Sequence, residues 1–386
     1  MFEANYTWNK TAHLWRESNP NTPVLPAGFA DWTAYLLANP YRLTNFNTTV
    51  RTYQFYLGSN TDGSGTATAQ GGAVACGTSV TQTCFVNLNA VNTTTTTPST
   101  TTAGNNTDSG NSVGTPLGIA LAAIARFRPN QNLDETARVA SIGNTFYQGL
   151  VLELRSRFRK FGAGFGSTFR AVYTLSSLKD DGLNNTSNAE INGDFSREWA
   201  RSLQDRRQRF ALSGTFDTPW WLGKLRFSPL FRLGSSAPIN LGYGFDRNLD
   251  DLSTDRLNFS GNISDLKWRR PGSPFPTALA AQFSLQPIGS KSGNIPRNAG
   301  TGPGLYAFDM GVTREWKFGE RFKIRPNLEF NNILNAAVFS FGSEFIDFTA
   351  LSATPTATQL SNAQNLLVPT RTYRPRAIRV GLRFDF

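Results

Sequence analysis

Apolar and polar residues alternate with a period of two in one short segment of this chain after another. At the carboxy end, Ala377 to Phe386 (AIRVGLRFDF) sets Ile378, Val380, Leu382, Phe384 and Phe386 on one face, against Arg379, Gly381, Arg383 and Asp385 on the other. Side chains of a strand point alternately to its two faces, so strict alternation predicts a strand with one apolar and one polar surface. Arg321 to Asn331 opposes Phe322, Ile324, Leu328 and Phe330 to Lys323, Arg325, Asn327 and Glu329. Pro326 falls mid-strand on the apolar face, where its missing N–H predicts a local bulge. Phe308 to Phe318 opposes Phe308, Met310, Val312, Trp316 and Phe318 to Asp309, Gly311, Thr313, Glu315 and Lys317. Arg314 is the exception on its apolar face. Its place near the strand end, beside Trp316, predicts a side chain that snorkels to an interface.

The same pattern recurs upstream. Leu150 to Phe158 opposes Leu150, Leu152, Leu154 and Phe158 to Val151, Glu153, Arg155 and Arg157. Phe165 to Leu175 carries Phe169, Ala171 and Tyr173 on one face, and Arg207 to Asp217 sets Phe210, Leu212 and Phe216 against Arg209, Ser213 and Asp217. Lys224 to Leu233 opposes Leu225, Phe227, Phe231 and Leu233 to Lys224, Arg226 and Arg232, and Phe2 to Lys10 alternates Phe2, Ala4, Tyr6 and Trp8 with Glu3, Asn5, Thr7 and Asn9. Segments of about 10 residues cross a bilayer when tilted by roughly 45°. Short connections (160–164, 219–223 and 319–320) alternate with long ones (about 11–145, 176–206, 234–306 and 334–376). This predicts an all-β fold over residues 1–386, an antiparallel transmembrane β-barrel segment of about eight strands with its long loops extracellular. Phe386 then ends in the periplasm, and Trp220, Trp221 and Trp316 fall at the periplasmic aromatic girdle. The polar face is rich in arginine, among them Arg155, Arg157, Arg170, Arg226, Arg325 and Arg383.

Composition agrees with a membrane that is crossed by strands. Hydrophobic residues make up 39%, mean hydropathy is −0.32, and no apolar run approaches the roughly 20 residues of a membrane helix. Of 38 basic residues only 8 are lysine, and the net charge is +11. The arginines are scattered through strands and loops without any nucleic-acid-binding motif, which excludes that class. Guanidinium forks suit phosphate and carboxylate, so lipopolysaccharide outside and anionic groups in the lumen are the expected partners.

Candidate chemistry is sparse. His13 is the single histidine, so a histidine-based triad or two-histidine metal site within the chain is impossible. Cys76 and Cys84 lie in the first long loop, where a local disulfide is favoured over a two-cysteine metal site that lacks further ligands. Asp246, Asn248, Asp250, Asp251 and Asp255 (DRNLDDLSTD) faintly resemble a calcium loop, but Asp251 stands where glycine is required and Leu257 where the closing glutamate belongs. A solvated loop is the expectation there. Val91 to Thr102 (VNTTTTTPSTTT) is of low complexity and is expected to be mobile. The reading assigns no catalytic, cofactor or metal residue and expects no enzyme. Met1 to Lys10 has no charged and apolar leader, so an incomplete piece of an exported protein is expected.

Several segments together resemble the TonB-dependent transporters, most closely their Oar-like branch. They are Tyr147 to Leu150 (YQGL), Tyr173 to Asp181, Asp205 to Gly214 (DRRQRFALSG) and Gly244 to Arg256 (GFDRNLDDLSTDR), followed by Arg297 to Asp309 (RNAGTGPGLYAFD), Glu329 to Asn335 (EFNNILN) and the terminal GLRFDF. The resemblance implies a barrel of about 22 strands, import of a bulky substrate, and energy from TonB through an amino-terminal plug, no recognisable part of which is expected in residues 1–386. It also implies that Phe386, with Phe384, Leu382 and Val380, is the signal read by the barrel-assembly machinery. Surface adhesion without active transport is the alternative for this branch.

Overall fold

The computed structural model describes residues 1–44, 50–57, 83–89, 116–182, 188–274, 276–319, 321–341, 366–373 and 375–386. Its main element is an antiparallel meander. The strands are β1 (Phe2–Ser18), β2 (Arg138–Phe161), β3 (Phe165–Asp180), β4 (Gln208–Asp217), β5 (Leu225–Gly234), β6 (Leu305–Arg314), β7 (Phe322–Asn331) and β8 (Ala377–Asp385). Each pairs with the next in sequence. Two short strands, Ala200–Arg201 and Trp316–Phe318, complete a ten-stranded sheet in which β1 and β8 are the two ends and do not pair with each other. No helix among the described residues is long and apolar enough to cross a membrane.

The register carries the sequence pattern across the sheet. Phe2, Leu154, Ala171, Leu212, Phe231 and Phe308 stand opposite one another in turn across β1 to β6. Met310, Phe330 and Ile378 do the same across β6 to β8. This face is not packed against protein: Tyr6, Trp8, Leu154, Val380 and Phe384 are all exposed. A sheet with one bare apolar face has no reason to fold in water.

Three expectations need correction. The alternation at Phe158 breaks, because Ser156 pairs with Phe169 and Arg159 with Ser167, so two residues of β2 face Thr168 alone. This bulge turns Phe158 to the polar face, where its ring lies over Gly166; a Cβ there would come within 2.5 Å of Phe158 Cζ. Phe161 replaces it on the apolar face, stacked on Phe165 at 6.0 Å. Pro326 sits in no bulge. Its register with Leu382 of β8 is regular, and the ladder toward β6 simply lapses between Thr313–Asn327 and Trp316–Ile324 with no residue inserted. In an antiparallel ladder each N–H serves one neighbour only, so a proline costs pairing on one side. Finally, β1, β2 and β3 reach 17, 24 and 16 residues, well into the segments that hydropathy assigns to loops. A crossing needs about 10 residues; the remainder continues beyond it on the long-loop side. His13, at φ 62, forms a bulge in the extended part of β1.

The hydrophobic core lies in the connections, not in the sheet. One cluster joins Trp32, Tyr35 and Leu36 of α1 (Trp32–Ala38) with Leu117, Ile119, Ala120, Leu121, Ala123 and Ile124 of α2 (Pro116–Ile124). Asp31 caps α1, its side chain accepting from Ala34 N at 2.8 Å. Because α2 is apolar all round, only burial on every side stabilises it. Leu249 and Ile288, from the connection between β5 and β6, enter the same cluster. A second cluster gathers Leu241, Tyr243, Leu257, Phe259, Phe283 and Ile295 with Leu366 and Leu367 from the connection before β8. The long loops therefore pack on one another.

Candidate functional site

The polar face of the sheet carries a ladder of ion pairs. Arg170 holds Glu153 with two bonds of 2.7 and 2.8 Å, and Arg155 bonds the same carboxylate. Arg226 forks onto Asp217 at 2.7 and 2.9 Å, and Arg232 reaches Asp309 at 2.9 Å. Arg325 joins Glu315 and Asp385, each at 2.7 Å, and Arg383 also bonds Asp385. These guanidiniums remain between about a third and three quarters exposed, so water and salt screen each pair and none adds much stability. A wetted, charge-balanced surface results.

The loops hold a second and quite different cluster. Asp246 accepts from the backbone N–H groups of Leu249, Asp250 and Asp251 at 2.7, 3.1 and 2.7 Å. Leu249 and Asp251 sit at φ 66 and 70, which lets successive amides converge on that one carboxylate. Asp255 accepts from Arg247 N and Asn248 N, and Asp250 from Asn192 N and Leu252 N. Arg247, 1% exposed, spans to the carbonyls of Gln286 and Leu88. Glu190 accepts from Arg256 N and Gly293 N, while Arg256 bridges Glu190 and Glu198. Arg297 ties Glu198 to Asp180 at the end of β3. From the first long loop, Arg128 and Asn19 reach Asp251, and Thr22 bonds the carbonyl of Asp250.

Burial and mutual repulsion push the Asp246 and Asp255 carboxyls well above the usual range. Burial raises Asp250 to about 7 against the amides that favour its anion, and burial raises Glu190 against the pull of Arg256 and Arg197. Arg247 falls to about 10, also through burial. The acidic segment is therefore no solvated loop; it is a buried hub stapling three long connections. No group of three or more His, Cys, Asp or Glu side chains among the described residues is arranged to hold a metal ion. The carboxylate oxygens turn toward N–H donors, which is the chemistry of a structural fastener.

In the sequence, Asp246 to Asp255 stand out only as a faint calcium-loop pattern within a resembling segment, and Glu190 and Glu198 carry no signal. Glu198, Asp205, Arg256, Arg297 and Asn298 are all buried or nearly so and meet in or beside the hub, although they come from two different connections. Charged residues clustered within the segments GFDRNLDDLSTDR and RNAGTGPG were the available signal.

A bare apolar face, a polar face ruled by ion pairs and loops that fasten to one another describe a membrane wall. A family model described as an outer membrane beta barrel domain matches residues 75–379. The chain belongs to this family. No curated protein matches the chain. As an outer membrane β-barrel domain, the protein resides in the bacterial outer membrane, and its apolar face meets lipid.

The residues singled out from sequence fall as follows. Val380, Leu382 and Phe384 line the lipid face of β8 and are 80, 56 and 58% exposed, and Phe386 follows at the free end. Trp220 and Trp221 occupy the β4–β5 turn, with Trp221 edge-on to Phe165 at 6.1 Å. Trp316 lies at the same end of the sheet, under the guanidinium of Arg314 at 5.1 Å, a placement that lets Arg314 leave the apolar face. Cys76, the stretch Val91 to Thr102 and Glu320 lie outside the described residues, and with Cys76 so does its pairing with Cys84.

Proposed function

We propose that this sheet is part of the wall of a wide TonB-dependent barrel of the Oar-like kind, which imports a bulky substrate across the outer membrane. The observation that carries the reading is the open meander, whose end strands β1 and β8 leave each other unpaired. In lipid every unsatisfied backbone group costs several kcal/mol, so both edges join further strands. A barrel closed by these strands alone would fill its interior with side chains, whereas the ladder of half-exposed arginines suits a water-filled lumen. The fastened loops then form the outer vestibule. Trp221 and Trp316 anchor the periplasmic interface, lipopolysaccharide phosphates meet arginines of the outer end, and the barrel-assembly machinery reads the row ending at Phe386. TonB acts through a plug region. We assign no enzymatic role.

Deleting the gene tests the proposal. Loss of growth on a panel of ferric siderophores, oligosaccharides or peptides, reproduced by deleting tonB, is the expected result. Unchanged growth on the whole panel with lost attachment to surfaces would replace transport by adhesion. One observation favours that second reading: the loops own two hydrophobic clusters and make a folded body suited to contacts.

A further inference from the structure

The short-turn end of the polar face holds a cleft of about 710 Å³ whose floor is one register row: Lys160, Gly166, Asp217, Arg226 and Thr313 stand in succession across β2 to β6. Clefts of this volume match small-molecule ligands, which occupy roughly 300–1,000 Å³. The bulge in β2 builds the cleft, because it delivers the Phe158 ring to the polar face above Gly166, the one residue that leaves it room. Trp220, 77% exposed, closes the other side from the β4–β5 turn.

The charges are unevenly committed. Asp217 is taken by Arg226 and Glu315 by Arg325, while Arg314 lies over Trp316. Lys160 and Lys224 have no carboxylate partner among the described residues. Lys224 is also held at φ 51, a left-handed conformation costly for a side chain bearing Cβ. The turn enforces it: Lys224 N donates to Pro219 O at 3.2 Å and Gly223 N to Trp220 O at 3.0 Å. Two ammonium groups with no carboxylate partner among the described residues thus border two aromatic rings in one recess.

We infer that this cleft binds a small organic anion, a phosphate or carboxylate carried on a flat apolar body, with Lys160 and Lys224 on the anion and Phe158 and Trp220 against the body. Ammonium to oxyanion bonds supply the charge recognition, and the rings supply apolar contact that bare phosphate cannot use. The site stands at the opposite end of the sheet from the loop hub. It stands apart from the transport reading as well, since binding to purified protein reports on it whether or not cells import through the barrel.

Calorimetric titration of the whole barrel protein, taken from outer membranes into lipid nanodiscs, with empty discs as blank, tests this with 2-naphthyl phosphate and inorganic phosphate. Saturable binding of the aryl phosphate is expected, with inorganic phosphate weaker by roughly tenfold or more. The Lys160→Ala/Lys224→Ala pair, both exposed turn-end residues, should lose roughly tenfold or more, and Lys160→Arg/Lys224→Arg should recover most of it. Phe158→Ala should weaken the aryl phosphate while leaving inorganic phosphate unchanged. No saturable binding to the wild type, equal affinity for the two anions, or undiminished affinity in the double alanine variant would each overturn the inference.

Discussion

The extended parts of β1 and β2 stand beyond the membrane, and a buried ion pair helps to fasten them to the end of β3. Arg16, 1% exposed, donates from Nε to Asp181 Oδ1 at 3.1 Å and closes a second bond from its terminal nitrogen. Asp181 also accepts from Asn144, through the backbone N–H at 2.9 Å and the side-chain amide at 3.1 Å. Gly143 makes room, since a Cβ there would stand 2.6 Å from Arg16 Cζ. Removing one partner of a buried pair costs about 3–5 kcal/mol when the other is left uncompensated. With both Asn144 donors retained, Arg16→Ala should cost about 3 kcal/mol, near the lower end. At about 1.4 kcal/mol per factor of ten in the opening equilibrium, the amides of 139–144 should exchange hydrogen roughly a hundredfold faster, while those of β4 and β5 keep their protection. Mass-spectrometric exchange on the detergent-solubilised protein reads both regions at once. Asp181→Ala should act similarly, and the double variant should fall short of the sum by at least about 1 kcal/mol. Unchanged exchange in Arg16→Ala, or single effects that add within about 0.5 kcal/mol, would refute the fastening role.

Other consequences follow from the same geometry. Leu382→Asp/Phe384→Asp places two charges on the lipid face of β8, toward its periplasmic end, in the row that ends at Phe386, and should abolish heat-modifiable protein in the outer membrane fraction. Gly166→Ala should destabilise by about 1–3 kcal/mol through crowding of the Phe158 ring, and Phe158→Ala should relieve most of that loss, both read from the heat-modification midpoint. The hub should respond to pH. Asp250 is raised from 3.8 to about 7 by burial among Asp246, Asp251, Asp255 and Glu190, with Arg247 and Arg256 beside them. A carboxyl raised on folding adds stability that is complete below its unfolded value and is lost as pH rises through its folded value. Intrinsic-rate-corrected protection of amides 247–252 should therefore fall between pH 4 and pH 7, and Asp250→Asn should flatten that slope.

Much of the sheet was legible because two solvents wrote it. Lipid on one face and water on the other impose a period of two, so Phe2 to Trp8 and Ile378 to Phe384 declare their faces without any structure. Where a bulge inserts a residue the parity is lost, as at Arg157-Phe158-Arg159; the clue was Phe161, an aromatic residue out of phase with Leu150 to Leu154. The loops were less legible, because carboxylates that accept backbone amides follow turn geometry rather than any repeat. Asp246 and Asp255 look solvated in sequence and are fully buried in the fold. The apolar run PLGIALAAI at α2 did carry a signal, since a segment apolar on every side must find a core. Ion pairs such as Arg226–Asp217 lie within the predicted polar face, but the choice of partner depends on register, which hydropathy leaves open.

The central claim is that these strands cross the outer membrane with the long loops outside and the short turns within. Single cysteines at Ser264, in the β5–β6 loop, and at Ala163, in the β2–β3 turn, test it in a background where Cys76 and Cys84 are serine. A membrane-impermeant maleimide should label position 264 on intact cells, and position 163 only after the envelope is opened. Labelling of position 163 on intact cells, with position 264 protected, would contradict the account.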